Sequence, residues 1–141
     1  MANRNAQQRA LLVAYVVDSS ALVKLIVNEQ HSKSLSSWVD GCKQDLFISE
    51  LARTEVSRAI ARVDPNLIKQ FNAIVTRFGV IRVSTQVLTI AAVLSPTTLR
   101  TLDAIHLASC VILGDDLTGF VTYDNAQASA ATQNKIEVIT P

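Results

Sequence analysis

Short apolar runs rich in β-branched residues recur along the chain, and each predicts a strand: Ala14–Val17, Leu46–Ile48, Val80–Val83, Gly119–Thr122 and Ile136–Ile139. Between them apolar positions return every three or four residues, which predicts helices over Ser20–Val27, Ser32–Val39, Thr85–Leu94, Leu102–Leu113 and Asp124–Thr132. A further helix follows Ser49, a suitable N-cap, and runs to Val63, where Pro65 stops it. Pro65 can itself open the next helix, with Gly79 as its C-cap. Strands alternating with helices predict an α/β fold: a short, mainly parallel sheet of about five strands with helices on both faces. The domain is expected to span residues 14–141, behind a polar extension over residues 1–13.

In open α/β sheets, sites form beyond the carboxyl ends of the strands, and that rule sorts the acids. Asp18 directly follows the first strand, and Asp124 follows the fourth after one tyrosine. Asp45, Asp115 and Asp116 precede their strands, so a strand's length separates them from the carboxyl edge and they read as turn acids. Glu55 falls inside the apolar stripe of its helix, formed by Leu51, Ala52, Val56, Ala59, Ile60 and Val63. A carboxylate there is costly unless paired, bound to metal or kept at a partly wet edge. Asp103 opens a helix that is apolar nearly all round. Taken singly, Asp18, Asp103 and Asp124 are each explained by a helix N-terminus, which favours an acid. Taken together, four such acids predict a site that needs a cation to relieve their repulsion. Oxygen donors suit Mg²⁺ or Mn²⁺, which would favour hydrolysis of a phosphodiester by an activated water.

Composition changes this picture little. The 141 residues are 49% apolar and 18% charged, which suits one globular domain. No apolar run approaches the ~20 residues of a membrane span. The net charge is only +1, but with the four acids set aside, thirteen basic residues face eight acids, a modestly basic surface around an acidic pocket. Cys42 and Cys110 belong to no metal-binding spacing and read as two buried thiols in a reducing cytoplasm.

Three segments resemble a known family. Val16-Val-Asp-Ser-Ser-Ala-Leu22 is similar to the opening strand and turn of PIN domains, Leu102-Asp-Ala-Ile-His-Leu-Ala108 to their third-acid motif, and Val121-Thr-Tyr-Asp124 to their last. Glu55 stands at the interval of the second acid, and the resemblance covers about residues 14–141. The short single-domain form resembles VapC toxins. That resemblance implies an Mg²⁺- or Mn²⁺-dependent endoribonuclease with Asp18, Glu55, Asp103 and Asp124 as its catalytic acids. Asp18, Asp103 and Asp124 would be the metal ligands, with Glu55 acting through water. It also implies RNA substrates such as tRNA or rRNA, a VapB-type antitoxin, a homodimer and a cytoplasmic location. Ribonuclease over deoxyribonuclease rests on the resemblance alone; a DNA nuclease, a phosphatase or a silent binding module uses the same frame.

Around the acids, Ser20 and Thr122 are candidates to orient a metal water or phosphate, and Arg100 to contact phosphate; a helix cap and a solvated charge are the plainer roles for Ser20 and Arg100. His106, three residues after Asp103, reads as a hydrogen-bonded structural histidine rather than a general base. Arg53, Arg58, Arg62 and Lys24 form either a patch facing RNA or antitoxin, or ordinary solvated helix faces.

Overall fold

A computed structural model describes residues 14–141; the polar extension expected over residues 1–13 lies outside the described residues. Five strands form one sheet: β1 (Ala14–Val17), β2 (Asp45–Ser49), β3 (Gly79–Ile81), β4 (Leu117–Val121) and β5 (Val138–Ile139). Their order is β3-β2-β1-β4-β5 and every pairing is parallel. The helices are α1 (Ser19–Ile26), α2 (Ser32–Gly41), α3 (Glu50–Val63), α4 (Ile68–Val75), α5 (Thr85–Val93), α6 (Thr101–Leu113) and α7 (Asn125–Gln133).

Neighbouring strand residues point to opposite faces, and the two cores divide accordingly. Val17, Ile48 and Val121 pack with Leu22, Leu35, Ile60 and Phe71, from α1 to α4, on one face. Val16 and Phe120 pack with Leu107 and Cys110 of α6 and Ala130 and Ala131 of α7 on the other. Val87 of α5 closes against Ile105 and Ala108 of α6 in a third cluster. Both faces are thus covered, as a parallel sheet requires.

The chain winds outward from β1 to β2 and β3, then crosses to β4 on the opposite side of β1. The switch point of the topology therefore lies between β1 and β4, whose carboxyl ends deliver Asp18 and Asp124.

Two local expectations change. Gly79 does not cap a helix, because α4 ends at Val75; it opens β3, and a Cβ there would collide with the Phe47 ring. The segment after Pro65 begins as a 3₁₀ turn, Pro65–Leu67, before α4. The two thiols are free, but only Cys110 is buried and Cys42 is half-buried.

Leu107 is fully buried on α6, whereas Val93 at the end of α5 is 81% exposed. Leu107→Ala is expected to lower unfolding stability by about 2–5 kcal/mol in chemical denaturation. Val93→Ala should change it by no more than about 0.5 kcal/mol.

Candidate active site

Asp18 is the residue at which β1 ends and α1 begins. Its N–H still donates to Val121 of β4 (3.0 Å), so the sheet holds its backbone, and its carboxylate caps α1 by accepting from the Ser20 N–H (2.8 Å). The second carboxylate oxygen accepts from the Thr122 hydroxyl (2.5 Å). That hydroxyl in turn accepts from the Asp124 N–H (3.1 Å), and Asp124 caps α7 through the Gln127 N–H (2.8 Å). The cap role read from the sequence is therefore real for Asp18 and Asp124. It does not exhaust them, since a carboxylate offers about four acceptor positions.

Asp18 is 5% exposed. Burial drives its pKa up; the Thr122 bond, the charge of His106 and the Ser20 N–H oppose this, and the charge of Asp124 adds to it. Asp103, in the first turn of α6, caps nothing: Arg100 holds the N-cap position without a side-chain bond. Its pKa is also raised, first by burial and then by the charges of Asp124 and Asp18. Asp124 and Asp18 are thus near enough to Asp103 to resist its ionisation. Among the described residues no three histidine, cysteine, aspartate or glutamate side chains stand as a ready-made ligand group. The donor chemistry nevertheless fits a hard divalent cation: all the donors are oxygens, acceptor positions remain open, and the repulsion between the acids calls for positive charge.

Glu55 projects from α3 at a half-buried position and is held from two sides. One oxygen accepts from the Ser19 hydroxyl (2.8 Å) and meets His106 Nε2 at 2.5 Å, while Ser19 lies 3.3 Å from the same ring nitrogen. His106 is 2% exposed, and its buried Nδ1 has no partner among the described residues. Burial pulls the imidazole pKa down, yet the bond to Glu55 and the charges of Asp18, Glu55 and Asp103 outweigh it and leave it raised. Burial likewise pushes Glu55 up, but His106 and Ser19 together leave it lowered. A protonated His106 facing an ionised Glu55 is the state this geometry favours.

The remaining candidates sort clearly. Thr122 is fully buried and its hydroxyl is committed to Asp18 and Asp124, so it braces the acids rather than reaching outward. Ser20 contributes its backbone N–H, while its buried hydroxyl has no partner among the described residues; its neighbour Ser19 makes the side-chain contact. Arg100 is exposed and lines, with Asp103 and Asp124, an open cleft of about 500 Å³. Gln127, which the sequence reading passed over, is buried on α7 and donates to the Asp103 carbonyl (3.2 Å), tying the starts of α6 and α7 together. Its signal was present in outline: a long polar side chain one turn after Asp124 on an alanine-rich helix.

The PIN domain family matches residues 15–133. Ribonuclease VapC46 of Mycobacterium tuberculosis (strain ATCC 25618 / H37Rv) is 38% identical over 130 residues, covering 92% of this chain and 99% of its own. Among solved structures, a toxin–antitoxin complex from Klebsiella pneumoniae superposes with a TM-score of 0.68 at 18% identity, over 90% of this chain and 97% of that one. VapC20 of Mycobacterium tuberculosis, described as a sarcin–ricin loop cleaving toxin, gives 0.68 at 15% identity, over 82% and 94%.

The pairing of Glu55 with His106 has a defined pH window in metal-free protein. The lowered Glu55 contributes stability that is fully present above its unfolded value near 4.5 and is lost as pH falls through its folded value. The raised His106 contributes stability fully present below 6.5 and lost as pH rises through its folded value. In EDTA, the stability difference between the parent and His106→Gln should peak between these limits and shrink on both sides. Urea denaturation across pH checks this, and parallel profiles for the two proteins would refute it.

Proposed function

Because this chain belongs to the PIN domain family, we propose that it is a Mg²⁺- or Mn²⁺-dependent endoribonuclease acting as the toxin of a toxin–antitoxin pair. One observation carries the reading: the sheet's switch point brings Asp18 and Asp124 to one edge, where the charge of Asp124 adds to burial in raising the pKa of both Asp18 and Asp103. Support for RNA and for an antitoxin partner comes from the ribonuclease named among the relatives and from the toxin–antitoxin complex of like fold.

In this reading Asp18, Asp103 and Asp124 hold the cation. When bound, it offsets negative charge accumulating on the phosphodiester and makes water a better nucleophile. The chain's own residues do the rest. Thr122 and the Ser20 N–H fix the Asp18 carboxylate so that it does not reorganise when substrate arrives. Gln127 holds Asp103 and Asp124 on helices of fixed spacing. Glu55 has one oxygen engaged by Ser19 and His106, which leaves the other to orient water or take a proton as water adds to phosphorus and the P–O bond breaks. Arg100 lines the cleft with Asp103 and Asp124, and in this reading it would meet a phosphate oxygen.

Two partners complete the proposal. A second copy would cover the apolar surface around Leu88 and Val93 on α5, which are 47% and 81% exposed. An antitoxin segment would block the acidic edge. Among the described residues no helix is long and apolar enough to cross a membrane.

The purified chain should cleave RNA with Mg²⁺ or Mn²⁺ and not in EDTA. Asp18→Asn and Asp103→Asn should each lower the cleavage rate by about 100-fold or more with the circular dichroism spectrum unchanged. Full activity in EDTA, or in either variant, would sink the mechanism.

A further inference from the structure

The four basic residues that the sequence left as one undivided patch separate in the structure. Lys24 is engaged by Glu29 (3.3 Å) and by the Gln30 carbonyl (3.0 Å). Arg53 lies on α3 only two residues from Glu55, about 200° round the helix, and so points away from it. Arg58 and Arg62 follow Glu55 by three and seven residues and share its side of α3. Both are exposed, and among the described residues neither guanidinium makes an ion pair.

These two arginines edge an open groove of about 480 Å³ with Glu55 at its head. Val23 of α1, Leu51 of α3 and Leu102 of α6 supply its apolar wall. Leu102 is 47% exposed and immediately precedes Asp103, so the groove runs directly into the acidic edge. The channel is therefore lined by both cationic and apolar side chains, and Glu55 and Leu102 join it to the place where the carboxylates gather.

We propose that this groove carries the single-stranded RNA flanking the cleaved phosphodiester, with Arg58 and Arg62 on successive backbone phosphates and an unpaired base against Leu102. The proposal rests on the ribonuclease reading above and adds a route for the strand. Arg58 and Arg62 stand one helical turn apart, a rise of about 6 Å, and so present two charges in line along the groove. Charge complementarity selects a polyanion, and the apolar wall selects one whose bases are free to turn outward, as in a single strand. A duplex keeps its bases stacked inside and has nothing to offer Leu102.

The test measures binding of an oligouridylate and of an RNA duplex of equal length, across salt, to Asp18→Asn protein carrying Arg58→Ala and Arg62→Ala or, as a control, Arg53→Ala. Cleavage of RNA by the parent chain is measured beside it, and thermal midpoints check that each variant is folded. The expected result is a preference for oligouridylate and about tenfold weaker binding by the double variant. Its slope of log affinity against log salt should be smaller in magnitude by about 1.4, the value for two single-strand phosphate contacts, with Arg53→Ala unchanged. Equal affinity and slope in the double variant would overturn the route while leaving the ribonuclease reading intact. An equal loss in Arg53→Ala would also overturn it, since the effect would then be general surface charge. A parent chain that neither binds nor cleaves RNA would overturn the ribonuclease reading itself, and the route with it.

Discussion

Asp18 is a carboxylate withdrawn almost completely from water, and the arrangement around it is built to make that tolerable. The β1–β4 ladder holds its backbone, the start of α1 supplies an N–H, and Thr122 supplies a hydroxyl. Each of those groups is in place because β1 and β4 are parallel neighbours in register at Val17 and Val121. Thr122 passes the constraint on, since the same hydroxyl accepts from Asp124 and so sets where α7 begins. A second acid is thereby placed beside the first, and Asp103 is drawn in through the contact from Gln127. The result is a set of carboxylates that a neutral or cationic neighbour would stabilise and that each other's charge destabilises.

His106 is the chain's own partial answer. Among the described residues it is the one basic side chain that is fully buried, and it bonds Glu55 while lying within electrostatic reach of Asp18 and Asp103. One imidazolium cannot balance four carboxylates, so the edge remains net negative in a protein whose overall charge is +1. The basic surplus lies elsewhere, including Arg58 and Arg62 along the groove and Arg100 at the cleft. An anionic strand held by those arginines and crossing the acidic edge would need positive charge at the crossing point, which is the place the proposed cation takes.

Much of this was legible in the sequence because it depends on periodicity. Strands near Ala14, Leu46, Val80, Gly119 and Ile136 fixed the alternation, and the rule for carboxyl ends then separated Asp18 and Asp124 from Asp45, Asp115 and Asp116. Glu55 was legible as an acid in an apolar stripe. What could not be read were contacts between elements distant in sequence. The sequence favoured Ser20 as the hydroxyl beside Asp18, but the approach of α3 makes Ser19 the partner of Glu55. Thr122 promised a hydroxyl at the rim, but strand pairing turned it inward onto Asp18. His106 was readable as a bonded histidine; that its partner is Glu55, 51 positions away, was not. Gly79 misled because a glycine after a helix resembles a cap, whereas here the missing side chain makes room for Phe47.

If Asp18, Asp103 and Asp124 form a divalent cation site, the thermal midpoint of the protein must respond to Mg²⁺ or Mn²⁺. A ligand that binds only the folded chain adds about 1.4 kcal/mol for each tenfold rise above its dissociation constant, so the midpoint should climb with cation concentration. In Asp103→Asn the climb should be strongly reduced, while the midpoint without cation should rise because a repelling charge is gone. A flat midpoint in the parent protein, or an equal climb in Asp103→Asn, would contradict a cation site shared by these three acids.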